Sequence, residues 1–144
     1  MKRGFTFIEL LVVLAIIALL AGLTISTFTS ASARSRDARR ESDVKEIQKA
    51  LAIYANSTGK YPQCSTEVII SGANDCLSDA LLLEKAMSAV PTDPRYGVGG
   101  GSCGSPGSFY YCYQSDTGDA YNIRYDLETN TISGKTSGWQ NAGP

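Results

Sequence analysis

The sequence predicts an α+β fold in which a long N-terminal helix packs on a small antiparallel β-sheet head. Three observations support this prediction. Residues 10–33 contain no charged side chain over 24 positions, and no proline or glycine follows them until Gly59. A single helix can therefore continue well past the uncharged stretch, from about Phe5 to Ser57, with Gly59 as its C-terminal stop. Nearer the C-terminus, apolar residues alternate with polar ones, as in a half-buried strand, at Tyr121, Ile123, Tyr125 and Leu127.

The composition limits the classes of function. A chain of 144 residues is expected to form one domain. Histidine is absent, which excludes Ser/His/Asp triads, Cys/His dyads and zinc sites built on histidine. The formal net charge of -1 gives no overall positive potential that would attract a phosphate backbone, so nucleic acid is not expected as a partner. No acid, base and nucleophile converge in the pattern, and we expect no enzymatic activity and no cofactor.

The uncharged stretch is long enough for a membrane helix, which we place at residues 5–28. At a rise of ~1.5 Å per residue, 24 residues span ~36 Å, more than the ~30 Å of a bilayer core. Glu9 opposes insertion, but it lies near the helix start, where the helix dipole favours an anion. A carboxylate in hydrocarbon still needs a cation, and cleavage after Gly4 would create an amine on Phe5, one turn away. We therefore interpret Glu9 as an assembly residue.

The residues from Lys2 to Ile17, KRGFTFIELLVVLAII, resemble the N-terminus of the type IV pilin and pseudopilin family. The resemblance implies that residues 1–4 are a leader removed by a prepilin peptidase. It also implies that Phe5 becomes the N-methylated terminus and that Glu9 guides subunit docking. The family has a long helix followed by a small sheet-bearing head, which agrees with the fold predicted above.

The resemblance implies a bacterial structural subunit that forms a homo-oligomeric helical filament of a type IV pilus or pseudopilus. Before assembly, the chain would cross the inner membrane once with its head outside the cytoplasm. Afterwards it would lie in a filament in the periplasm or on the cell surface. An assembly platform protein and a cytoplasmic ATPase would act with it. The motif is shared by adhesive or motile pili, secretion pseudopili and DNA-uptake pili, so it does not distinguish among them.

An ordinary export signal is an alternative interpretation of the same segment. The basic residues Lys2 and Arg3 precede an apolar core, and Ala31-Ser32-Ala33 matches an A-x-A cleavage site that would leave Arg34 as the new terminus. The chain would then be a secreted or membrane-anchored binding module without enzymatic activity. Its ligand surface would be the glycine-rich loop of residues 97–108 together with the tyrosine-rich strands.

Residues 29–57 form the predicted amphipathic half of the long helix. Its apolar stripe, at spacings of 3, 4 and 3 residues, comprises Val44, Ile47, Leu51 and Tyr54. Four arginines precede it, at positions 34, 36, 39 and 40. We interpret them as a solvated helix face at the membrane surface, with lipid headgroups, DNA or acidic groups of adjacent subunits as alternative partners.

The head is predicted to comprise residues 58–144. A second helix is expected at 77–90, capped by Asp75 or Ser78 and ended by Pro91. An antiparallel sheet is expected over residues 109–134. Its strands are predicted at 109–114, at 121–127 and, after a turn, near 131–133.

Four cysteines allow three disulfide connectivities. We predict the pairs Cys64-Cys76 and Cys103-Cys112, because each closes a short loop beside the structure that it would pin. A zinc site built from all four thiolates is the alternative. Some pseudopilins bind calcium in this part of the head. Oxygen donors of the right kind are present here at Asp116, Asp119, Asp126 and Glu128. Their spacing matches no calcium loop, so we assign no metal ligands.

Overall fold

The computed structural model describes residues 4–144, without the side chains of residues 23–27. Met1 to Arg3, most of the predicted leader, lie outside the described residues. The elements in chain order are α1 (Phe7–Thr58), β1 (Cys64–Ile69), α2 (Cys76–Leu83), β2 (Cys112–Ser115), β3 (Asn122–Leu127) and β4 (Gly138–Ala142). A long N-terminal helix followed by a four-stranded antiparallel sheet confirms the predicted α+β, pilin-like organisation.

The helix α1 contains 52 residues and is therefore ~78 Å long. It ends where the sequence predicts, because Gly59 adopts a left-handed conformation with φ 83° and its N–H donates to the carbonyl of Ala55 at 2.8 Å. Among the residues described with their side chains, no helix is both long and apolar enough to cross a membrane.

The sheet has the strand order β1-β2-β3-β4, and every neighbouring pair is antiparallel. The hairpin of β2 and β3 confirms the predicted pairing, with Tyr113 opposite Ile123. The predicted strand 109–114 is shorter than expected, because β2 begins only at Cys112. The predicted strand near 131–133 is wrong. That segment is a turn, in which the N–H of Lys135 donates to the carbonyl of Ile132, and the strand that pairs with β3 follows it at Gly138–Ala142. The edge strand β1 was not predicted.

The second helix is shorter than predicted. Asp75 caps it as expected, since its carboxylate accepts from the N–H of Ser78 at 2.8 Å. The helix ends at Leu83 instead of Val90, because Lys85 adopts a left-handed conformation with φ 55°. The chain after Lys85 turns back toward the interior, and Val90 is buried in the core.

The hydrophobic core lies between the distal half of α1 and the sheet. Val44, Ile47 and Leu51 are buried against the inward-facing residues of β3, which include Ile123 and Leu127. This packing confirms that the predicted stripe of α1 and the alternating strand bury each other. Tyr54 packs against the same core and is partly buried.

Tyr111, which lies directly before β2, and Tyr125 of β3 also bind α1 through their hydroxyl groups. Tyr111 donates to Asp43 and Tyr125 donates to Glu41, each at 2.9 Å. Both tyrosines are fully buried, so an unpaired hydroxyl would be costly at either position. The sheet is therefore attached to α1 by directional polar bonds as well as by apolar packing.

Candidate assembly surface

The start of α1 is built around Thr6 and Glu9. The Glu9 carboxylate accepts from the backbone N–H of Thr6 at 2.8 Å and from its hydroxyl at 2.7 Å. In return, the Thr6 hydroxyl accepts from the backbone N–H of Glu9 at 3.4 Å. This reciprocal pair is a capping box, which satisfies backbone donors that a helix start leaves unpaired.

The capping box gives Glu9 a structural role that sequence reasoning missed, together with its partner Thr6. The signal was present, because Thr6-Phe7-Ile8-Glu9 has the S/T-x-x-E pattern of a helix N-terminus. The carboxylate is thus held beside the first backbone N–H groups of α1 in the single chain.

The bond between Gly4 and Phe5 precedes the helix in a segment without regular structure. Gly4 is exposed, and a side chain placed on it would meet no other atom within 4 Å. The Phe5 side chain is also exposed. This geometry leaves the peptide bond open to a protease, while its cleavage and the methylation of Phe5 stay predictions.

The first part of α1 exposes apolar side chains around its whole circumference. The large side chains concerned are exposed by 46–80%: Phe7, Ile8, Leu10, Leu11, Val12, Val13, Leu14, Ile16, Ile17, Leu19 and Leu20. Near the start of α1 there is an open groove of about 350 Å³, lined by Phe5, Ile8, Glu9, Val12 and Val13. A helix that is apolar on every side is typical of apolar surroundings, either lipid or other helices.

A cluster of charged side chains attaches α1 to the head at the point where the helix enters it. We call it the ionic cluster, and its members are Arg36, Asp37, Arg40, Asp93, Arg95 and Glu128. Arg40 lies at its centre with a side chain that is 0% exposed. Its Nε donates to Asp93 at 2.7 Å, and its Nη1 donates to Glu128 at 2.7 Å and to Asp37 at 2.8 Å.

The remaining members complete the ionic cluster from both sides. Arg36 donates twice to the Glu128 carboxylate, at 2.7 and 2.6 Å, which is the strong bidentate geometry of an arginine and a carboxylate. Asp37 accepts from the backbone N–H groups of Glu128 and Thr129 at 2.9 and 2.8 Å. The turn after β3 is therefore fixed to α1 by backbone as well as side-chain contacts.

The ionic cluster changes the acidity of its members. Burial raises the pKa of Glu128, but hydrogen bonds from Arg36 and Arg40 outweigh burial and lower that pKa to about 2. Burial lowers the pKa of Arg40, but its bonds to Asp93 and Glu128 outweigh burial and raise it above the ordinary value. The neighbouring Asp126 has a raised pKa, mainly because burial disfavours its charged form.

The expectation that the arginines form a solvated helix face is wrong for Arg40 and Arg36. Arg40 is buried, and both bind carboxylates of their own chain instead of lipid, DNA or a neighbouring subunit. Arg34 and Arg39 are exposed, as expected. The partners of Arg40 could not be found locally, since Asp93 and Glu128 lie 53 and 88 residues away in sequence.

The disulfide prediction is confirmed. Cys64 is bonded to Cys76 and Cys103 to Cys112, so the thiolates required by the alternative zinc site are not free. The first bond joins the start of β1 to the start of α2. The second joins the glycine-rich loop to β2.

The structure does not use the four candidate calcium donors as one site. Glu128 binds arginines, Asp119 pairs with Lys60 at 3.6 Å, and Asp126 is buried. Within residues 4–144, Glu67, Cys103 and Cys112 place potential metal-ligand atoms within 4.8 Å of one another. The two cysteine sulfurs are joined in a disulfide.

Comparisons with known proteins match parts of the chain. Residues 1–25 match the family model described as the prokaryotic N-terminal methylation motif. The chain is also similar to the type IV major pilin protein PilA of Myxococcus xanthus (strain DK1622), with 33% identity over 67 residues. That match covers 46% of this chain and 30% of the relative, and no solved structure matches the chain.

Proposed function

We propose that this chain, which carries a prokaryotic N-terminal methylation motif, is the precursor of a structural subunit of a type IV pilus or pseudopilus filament. Residues 1–4 are the leader, 5–28 are the membrane and filament-core half of the helix, and 29–57 are its amphipathic half. Residues 58–144 are the head. Similarity to a type IV major pilin supports this assignment.

The observation that carries the proposal is that the methylation motif lies on the part of α1 whose apolar side chains are exposed. The motif ends at residue 25, within the half of α1 that the head does not cover. Apolar area in water costs ~25 cal/mol per Å², so side chains such as Leu11 and Ile17 favour lipid before assembly and other helices afterwards. A membrane-stored subunit that later packs into a filament core fulfils both requirements.

Glu9 would link cleavage to assembly. In the single chain its carboxylate is hydrogen-bonded to Thr6. Cleavage after Gly4 creates an amine on Phe5, and the amine of a neighbouring copy could enter the apolar groove and neutralise Glu9 there. The attraction between this amine and the Glu9 carboxylate would be strong, because apolar surroundings have a low dielectric constant and weaken an ionic contact far less than water does.

The proposal places the precursor in the inner membrane with a single pass and its head outside the cytoplasm. The mature subunit is a homo-oligomer in a helical filament in the periplasm or on the cell surface. Its partners are a prepilin peptidase, an assembly platform protein and, indirectly, a cytoplasmic ATPase. The head is structural, and the chemistry of processing belongs to the peptidase.

The mass of the N-terminal peptide of the mature protein tests the proposal. We expect a chain that begins at Phe5 with a methylated amine. A chain that begins at Arg34 would instead establish ordinary secretion and support a binding module. A chain that retains Met1 in assembled material would also contradict the proposal.

A further inference from the structure

Beyond the apolar half of α1, the described residues expose few large apolar side chains. From position 29 onward these are Ile53, Leu83, Tyr96 and Val98. Ile53 lies on the distal half of α1, and Leu83 is the last residue of α2. Leu83 is 81% exposed and Ile53 is 56% exposed, so their own chain leaves most of both side chains uncovered.

Charged residues of opposite sign accompany these two side chains. On α1, Lys45, Lys49 and Ile53 are four residues apart and therefore lie along one exposed line, which we call the basic α1 face. On α2, Asp79 lies four residues before Leu83, and Glu84 follows directly; we call these three residues the acidic α2 face.

The two faces retain charge that their own chain does not neutralise. Lys49, Asp79 and Glu84 are exposed, and none of them forms an ion pair within residues 4–144. Lys45 is paired with Glu41 at 3.5 Å. The wider charge distribution has the same signs. Residues 29–57 carry six basic and four acidic side chains, whereas residues 58–144 carry five basic and nine acidic ones.

We propose that the acidic α2 face of one copy docks on the basic α1 face of a second copy. Ile53 then contacts Leu83, and Lys49 is paired with Asp79, one helical turn before Leu83. We choose a second copy of this chain as the partner, because the basic α1 face lies on the same helix as the apolar half. That half is proposed to pack against the helices of other copies. The inference rests on the proposed filament and names one contact between its subunits.

Matching spacing supports this contact. Lys49 and Ile53 are separated by one helical turn, and so are Asp79 and Leu83, which places the two members of each pair ~5 to 6 Å apart. Two helices that run in the same direction can thus bring the apolar pair and a charged pair together. Opposite charges beside an apolar contact also disfavour wrong partners, because like charges at an interface repel.

Crosslinking in cells that assemble the wild-type chain tests the contact. Variants Ile53→Cys and Leu83→Cys are expressed together, and we expect a disulfide-linked dimer in sheared filaments. Each variant alone should give none. The matched control pairs Ile53→Cys with Tyr96→Cys, since Tyr96 is also an exposed apolar side chain but lies outside both faces, and no dimer is expected.

Charge reversal provides the second readout. Lys49→Glu and Asp79→Lys should each lower filament yield about tenfold, and the double variant should restore most of it. Asp116→Lys, at an exposed acid in the β2–β3 turn, should not rescue Lys49→Glu. Filaments of normal yield without the dimer or without the rescue would overturn the contact while leaving the proposed function intact. A mature chain that begins at Arg34 would overturn the proposed function itself.

Discussion

Arg40 and Asp93 form two hydrogen bonds, of 2.7 and 3.1 Å, although 53 residues separate them in the sequence. Arg40 comes from α1, and Asp93 comes from the segment that leads into the glycine-rich loop. Both side chains are fully buried. The pair therefore closes the junction between the helix and the head away from water.

We expect Arg40→Met to lower the free energy of unfolding by about 3 to 5 kcal/mol, because it leaves buried carboxylates without their cation. Urea denaturation of the full chain in detergent measures the change. The matched control is Arg39→Met, which removes a 65% exposed arginine whose contact with Asp43 is 3.7 Å long. That variant should cost less than ~1 kcal/mol. Equal losses in the two variants would contradict a special role for the buried cation.

The ionic cluster should make the protein sensitive to acid. In the folded state, burial raises the pKa of Glu128, but hydrogen bonds from Arg36 and Arg40 outweigh burial and lower this pKa from 4.5 to about 2. A lowered pKa in the folded state contributes stability that is fully present above pH 4.5 and is lost as the pH falls toward 2. Urea denaturation at several pH values should show this loss in the wild type and a smaller slope in Glu128→Gln.

Arg36→Met provides an independent check of the same pKa. Removal of this donor should raise the pKa of Glu128 and move its titration to higher pH, which carboxylate NMR can follow. An unchanged titration would show that Arg36 does not hold the carboxylate in its charged form.

Removal of either disulfide should destabilise the head by about 2 to 4 kcal/mol, mainly because the unfolded chain gains freedom. The double variants Cys64→Ser/Cys76→Ser and Cys103→Ser/Cys112→Ser measure the two bonds separately by urea denaturation. Alkylation followed by mass measurement should detect no free thiol in the wild type until a reductant is added. Alkylation of the unreduced protein would contradict the assigned pairs.

Glu9→Ala should abolish filament formation while allowing cleavage after Gly4, because the variant lacks the carboxylate that would bind a neighbouring amine. The same substitution at Glu46, an exposed acid of the distal half of α1, is the matched control and should preserve assembly. Filament yield and the N-terminal mass are measured together. Correctly processed Glu9→Ala subunits that assemble at normal yield would contradict the proposed role of the carboxylate.

The features that follow from local pattern could be predicted from the sequence. The length of α1, its end at Gly59 and its apolar stripe depend on neighbouring residues, and the β2–β3 hairpin follows from alternation around a short turn. The pairing of cysteines close in sequence could also be inferred, because short loops limit the choice.

The features that depend on tertiary contacts could not be predicted. The ionic cluster joins residues up to 92 positions apart, so no local spacing reveals that Arg36 binds Glu128. The helix α2 ends early because the chain that follows it turns back and packs into the core. The strand β1 shows no clear alternation of buried and exposed residues that could have revealed it. At the assembly surface, Thr6 is different, since its role could be recognised from the residues beside it.

The arrangement of contacts along α1 determines how the junction would respond to tension. From Arg36 to Tyr54, the ionic cluster, the tyrosine hydroxyls and the apolar stripe follow one another over ~27 Å of helix. A pull on the protruding half of α1, directed along its axis, loads these contacts in shear and shares the force among them. Detachment by such a pull requires many bonds to break together, whereas a force across the helix would peel them apart one after another.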